Sequence, residues 1–307
     1  MKILRSSGRR QLVASIMVAA LLCSSSLAFG EEGATAMDTG AIERLTGAKG
    51  ALDEKEGVFK VSVPRKDLSV AVGGVKLSPP MGLTSWAAFK RDGKDDMVMG
   101  DLVLSQDQVS PVMGAALDNG LEVTALHNHF LWDSPRTMFM HIGGMGPEQD
   151  LAAAIGKVFA KIHQTSGGKG EEEPGARIDP AHSSLDPAKL DSAFGLKGQY
   201  KDGVYKFVVS RATRMHDVTI GNQMGVNTWG AFAGSQDQAI VDGDFAMHEG
   251  ELQNVLKALR KAGINVVAIH QHMVGEEPRI IFLHYWGVAP ASDLAKGLRA
   301  ALDLTHD

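Results

Sequence analysis

Six histidines at two repeated spacings carry the most chemistry in this chain. His127, His129 and His141 lie within residues 121–144, and His270, His272 and His284 lie within residues 264–287. The offset between the sets is constant, 270 − 127 = 284 − 141 = 143. Pro135, Arg136, Phe139 and Gly144 recur on the same offset as Pro278, Arg279, Phe282 and Gly287. Histidines two apart in an extended strand point to one face. A turn folded about Ser134 would set residue 127 opposite 141, so the third imidazole would join that face. A one-residue slip would send it to the other. Three imidazoles on such a patch can converge on one ion at about 2.0–2.1 Å from each nitrogen. An open fourth position suits Zn²⁺ first, with Cu²⁺, Ni²⁺ or Fe²⁺ next. The plain reading is a set of hydrogen-bonded strand histidines. Against it stands their retention while Asn128 becomes Gln271 and Leu131 becomes Val274.

Other residues join the candidate set. Asp101 and Asp244 each follow a glycine inside a predicted strand, where Asp is unfavourable. Each is a fourth ligand, a partner orienting an imidazole or a general base, or else an edge or bulge residue. Arg136 and Arg279 follow the turn prolines and suit an anionic substrate group, or a surface salt bridge. Trp86 and Trp229 are read as core first and as a pocket wall second, and Met138 and Met140, which alternate away from His141, are read as core. Asp133 and Glu276 are read as solvated turn carboxylates. Zinc-bound water beside Asp101 or Asp244 would allow metal-assisted hydrolysis. No nucleophile elbow, phosphate loop or HExxH helix is present.

The elements that must hold these residues are legible as a duplication. Helix is expected over 37–46 and strands over 58–63, 68–77 (broken at Gly73-Gly74), 81–89 and 96–104. A helix over 105–119 follows, with capping-box spacing between Ser105 and Gln108. Gly120 and Gly263 would end that helix and its copy. The histidine hairpin comes next, and then a closing helix over 147–162, with Pro147 and Pro290 at N1. MGLTSWAAF at 81–89 returns as MGVNTWGAF at 224–232. Upstream the copies align only at a shift of 146, Gly57-Val58-Phe59-Lys60 against Gly203-Val204-Tyr205-Lys206. The order strand, helix, strand, strand, helix suits an α+β fold. Each of two tandem homologous domains is then an antiparallel sheet with helices on one face, a ferredoxin-like βαββα core with extra N-terminal strands.

At 307 residues the chain is long enough for two such units, assigned to 38–163 and 192–306, with a Gly-, Pro- and Ser-rich linker over 164–191. Residues 1–30 read as a signal peptide, with basic Lys2, Arg5, Arg9 and Arg10 before a short apolar run. The sole cysteine, Cys23, lies at the end of that run behind bulky Leu22, a poor lipidation signal. The mature chain then has no cysteine, no disulfide and no membrane-spanning helix, and any metal must use His, carboxylate or Met. A net charge of −5 gives no sign of nucleic acid as a partner. The expected partner is a metal ion or a small molecule, and the expected location is the periplasm or cell envelope.

The segments MGLTSWAAF, MVMGDLVL and LDNGLEVTALHNHFLWDSPRTMFMHI, with their second-half copies, resemble the bacterial LppY/LpqO family, a domain of unknown function found in exported proteins. The resemblance covers the mature chain and implies an exported, often lipid-anchored, two-repeat protein. It implies no activity and no catalytic residues. Three functions follow as expectations: a divalent-metal protein that is a binder or a hydrolase, a non-metal module for a small ligand, and a purely structural envelope protein.

Overall fold

The computed structural model describes residues 36–306 apart from 94, 173 and 174; the leader expected over 1–30 lies outside them. The first half runs α1 (Thr39–Thr46), β1 (Gly50–Asp53), β2 (Val58–Pro64), β3 (Ala71–Val72), β4 (Val75–Lys76), β5 (Thr84–Asp92), β6 (Asp95–Ser105), α2 (Gln106–Asp118), β7 (Glu122–His127), β8 (Asp133–Ser134), β9 (Thr137–Gly146) and α3 (Glu148–Gln164). The second half runs α4 (Pro187–Phe194), β10 (Gln199–Lys201), β11 (Val204–Ser210), β12 (Thr213–Met215), β13 (Val218–Ile220), β14 (Asn227–Gly234), β15 (Ala239–His248), α5 (Leu252–Lys261), β16 (Asn265–His270), β17 (Glu276–Glu277), β18 (Ile280–Ala289) and α6 (Ala291–Leu302). The helix starts follow local chemistry. Ser105 and Gln108 form the expected capping box at α2. Pro147 and Pro290 stand one residue earlier than expected, as N-caps, because their ψ of 134° and 138° lies outside the helical range. α4 begins inside the stretch read as linker, with Asp186 capping it through Ala188 N–H.

Twelve strands make one sheet in the order β1-β2-β5-β6-β9-β7-β16-β18-β15-β14-β11-β10. Within each half the βαββα segment gives the neighbour order first, third, second strand, as in a ferredoxin-like layer. The two halves join edge to edge through β7 and β16, with Leu126 opposite Ile269. The tandem repeats therefore share one sheet and one continuous core. That core lies between the sheet and the six α-helices of the described residues, filled by Ile42, Val112, Ile155, Phe194, Leu256 and Leu298 against strand residues such as Leu102, Met140, Phe207 and Leu283. No helix among the described residues is long and apolar enough to cross a membrane.

The opposite face carries the histidines. It is open at its centre and shielded in each half by a small apolar cluster. Val70, Leu83, Val103 and Phe139 form one, and Ile220, Val226, Ala246, Ile280 and Phe282 form the other. Short three-stranded sheets, β4-β3-β8 and β13-β12-β17, tie the segments around these clusters to the histidine turns. A buried arginine anchors each segment. Arg65 donates to the Val103 carbonyl and, at 2.8–2.9 Å, to Asp67 and Gln108. Arg211, its copy, pairs with Glu251 at 2.6 Å.

Candidate metal centre

Register decides how the histidines meet. His141 on β9 stands opposite Asp101 on β6 and Ala125 on β7, and His127 stands opposite Phe139. The second copy repeats this: His284 faces Asp244 and Ala268, and His270 faces Phe282. The hairpin therefore centres on Asp133, not Ser134, and His127 is diagonal to His141 rather than opposite it. The offset is two residues, so all the imidazoles keep the open face. The reason lies in the turn. Asp133 Oδ2 accepts from Thr137 N–H at 2.7 Å and from Thr137 Oγ1 at 2.9 Å, and β8 pairs with β3. Its copy Glu276 is buried and accepts from Ile280 N–H at 3.2 Å. Both carboxylates hold the turn instead of facing solvent.

Asp101 and Asp244 sit in interior strands, at neither an edge nor a bulge. Backbone contact explains the glycine before each. A Cβ at Gly243 would meet the Trp229 carbonyl and Tyr285 Oη at 2.3 Å, and one at Gly100 would meet the Trp86 carbonyl at 2.9 Å. Ala125 and Ala268, on the two central strands, keep the face shallow between the clusters.

The second cluster is the tighter. Ligand-capable atoms of Asp244, His270 and His284 all lie within 4.8 Å of one another. Asp244 Oδ2 is 3.7 Å from His272 Nε2 and 3.8 Å from His284 Nδ1. His270 Nε2 is 3.2 Å from His272 Nε2, and the His270 and His284 rings stack at 4.4 Å. Buried Asp244 Oδ1 and His270 Nδ1 have no hydrogen-bond partner. Burial pushes the Asp244 carboxyl up to about 7, against the Leu283 backbone N–H and with Asp242 adding to the rise. Burial and the neighbouring His284 and His272 bring His270 down to about 4, and His272 is lowered for the same kind of reason. Neutral imidazoles with free lone pairs are the form that binds metal.

In the first half, His127 Nε2 lies 3.1 Å from His141 Nε2, and His127 Nδ1 is 2.9 Å from the Asn128 carbonyl. Burial raises the Asp101 carboxyl, opposed by nearby His141, His127 and His129. Asp101 Oδ1 is buried without a partner. His129 and His272 stand nearer the rim, stacked on Phe139 at 4.5 Å and Phe282 at 3.5 Å.

Other expectations change. Trp86 and Trp229 are half-buried on the open face, not in the core, because they stand beside Asp101 and Asp244 in register. Lys60 Nζ lies 3.9 Å over the Trp86 ring and Lys206 Nζ 4.1 Å over the Trp229 ring. Each half thus presents a Lys, Trp, Asp, His row. The lysines went unread as site residues, although both stand in the aligned GVFK and GVYK segments. Met138 and Met140 are core, as expected. Arg136 and Arg279 are exposed on the turns and form no hydrogen bond to the histidines among the described residues. Arg136 instead borders a groove of about 980 Å³ beside β16, near the seam, between that strand, the start of α2 and the first histidine turn.

A family model matches residues 40–161 and again residues 188–304. The chain belongs to the family described as Domain of Unknown Function (DUF1259). The two matches coincide with the two structural halves, each holding one histidine hairpin. No curated protein matches the chain. Among solved structures, a trimeric bacterial microcompartment shell protein, PduB, is aligned over 83% of this chain and 89% of its own, at 11% identity and a TM-score of 0.20.

Proposed function

We propose that this protein binds a divalent transition metal on the open face of its sheet, one ion per histidine cluster. Asp244, His270, His272 and His284 are the ligand set of the second half, and Asp101, His127, His129 and His141 that of the first. The supporting observation is the convergence of Asp244, His270 and His284 around partnerless buried atoms. A cluster that buries an unbonded carboxylate oxygen and the unbonded Nδ1 of His270 is costly unless something ligates them. Spacing supports the reading. Two nitrogens about 2.05 Å from a tetrahedral ion lie about 3.3 Å apart, and the imidazole pairs stand at 3.1 and 3.2 Å. The three imidazoles and one carboxylate of each set fit zinc, with copper the next choice. The resemblance to exported LppY/LpqO proteins and the N-terminal basic and apolar segment support a role in the cell envelope.

The test uses full chain purified without a His-tag, stripped by chelator and titrated with Zn²⁺ and Cu²⁺ by calorimetry, with metal counted by mass spectrometry. Uptake at each cluster with Kd below about 1 µM is expected, and His270→Ala with His284→Ala should remove the second-half share. Protein that takes up neither ion at micromolar concentration would rule the proposal out.

A further inference from the structure

The wedge beside each central strand is built from duplicated residues, yet only one wedge is closed. β7 and β16 each carry a register shift, at Val123/Ala125 and Val266/Ala268. Gln253 of α5 closes the first. Its amide donates to the Val123 carbonyl at 3.0 Å and accepts from Val123 N–H at 2.9 Å. The copy position in α2, 253 − 143 = 110, holds Ser110, whose short side chain reaches only Asn265 Oδ1, at 2.6 Å. Beside Val266 the groove of about 980 Å³ stays open.

Its lining is amphipathic. Ile178, Ile240, Val267 and Trp286 give one end an apolar wall. At the other end, Ser105 lies opposite Thr137 and Glu171 N–H donates to the Asp107 carbonyl. Those contacts bring Arg136 and Glu172 to the start of α2. Among the described residues, neither Arg136 nor Glu172 is hydrogen-bonded or ion-paired. The other acids there are engaged, Asp107 with Ser105 and Gly170 N–H, and Glu171 with Arg260 at 3.7 Å. Two unpaired groups of opposite charge at one end of an apolar groove match a zwitterionic head on an apolar body.

We propose that the seam groove is a binding site for an α-amino acid with a large apolar side chain. The carboxylate meets the planar donor fork of Arg136, the ammonium meets Glu172, and the side chain covers Val267 and Trp286. The site needs no metal, so its test stands apart from that of the histidine clusters. In the second half Gln253 fills the place beside Val123 that corresponds to the open groove beside Val266.

The experiment is calorimetric titration of the full chain in chelator with L-phenylalanine and L-tryptophan. Titrations with 3-phenylpropionate and phenethylamine, which each lack one charge of the head, run alongside. Saturable binding of an amino acid is expected, with each single-charge analogue at least about ten-fold weaker. Ser110→Gln copies the closing residue of the other wedge and should abolish binding without loss of zinc uptake. Arg136→Gln, on an exposed turn, should weaken binding about ten-fold and keeps the test valid if Ser110→Gln fails to fold. The proposal is overturned if neither amino acid binds at 10 mM (about the weakest affinity such contacts give). It is equally overturned if 3-phenylpropionate binds as well as phenylalanine, or if both variants bind like wild type.

Discussion

At Asp244 a 4% exposed carboxylate has one oxygen near two imidazoles and the other without a partner. Such a group costs stability in the metal-free protein and repays it only on ligation. Asp244→Asn should therefore leave the metal-free Tm unchanged or higher while weakening second-half metal affinity about 10–100-fold. Thermal melts with and without Zn²⁺ measure both, and a lower metal-free Tm with unchanged affinity would refute the assignment. Asp67 works in the opposite sense. Its hydrogen bond to Arg65 holds it down at about 2, against the upward push of burial. A depressed carboxylate stabilises the fold above its unfolded pKa, near 4, and that contribution fades as pH falls through about 2. Asp67→Asn should lower Tm by about 2 °C at pH 7, a small effect because the pair is partly exposed. The gap should close in melts run near pH 2. At this scale the histidines were legible because three of them recur on one offset. The Trp–Lys pairs were not, because an isolated tryptophan in an apolar segment reads as core until the strand beside it is known to bring an aspartate.

Among the elements, the site depends on β6 and β15 passing under Trp86 and Trp229 without a side chain at Gly100 and Gly243. The two glycines are not equal. A methyl at Gly243 meets a backbone carbonyl and the buried Tyr285 hydroxyl at 2.3 Å, whereas one at Gly100 meets a carbonyl at 2.9 Å and the Ile142 side chain at 3.0 Å. Gly243→Ala should cost about 3 kcal/mol or more, and Gly100→Ala about 1 kcal/mol, measured by denaturant unfolding. Equal costs would show that the strands do not approach as described. Helices and strands were readable from caps, C-terminal glycines and alternation, since those signals are local. The hairpin register was not. It depends on Asp133 and Glu276 binding their own turns and on β8 and β17 pairing with segments more than fifty residues away in sequence, for example Ala71 with Ser134.

Over the whole molecule, the duplication was plain in the sequence, but the shared sheet was not. Period and pattern mark two units, and nothing local says that β7 and β16 are each other's neighbours rather than free edges. Their pairing sets the distance between the two proposed metal ions. His141 on β9 and His284 on β18 are three strand steps apart, through β7 and β16. At about 4.8 Å per step the ions should lie about 14 Å apart on one face. That is too far for a single bridging oxygen, which would need about 3.5–4 Å. It is close enough for two Cu²⁺ ions to broaden each other's resonance. Protein loaded with Cu²⁺ at both clusters should show dipolar broadening in frozen-solution electron paramagnetic resonance. Samples carrying His127→Ala with His141→Ala, or His270→Ala with His284→Ala, should show single narrow copper signals. Full copper loading with no broadening would place the ions well beyond 14 Å and refute the seam pairing of β7 with β16. A spin-coupled pair would instead mean that both sets of ligands close on one shared centre.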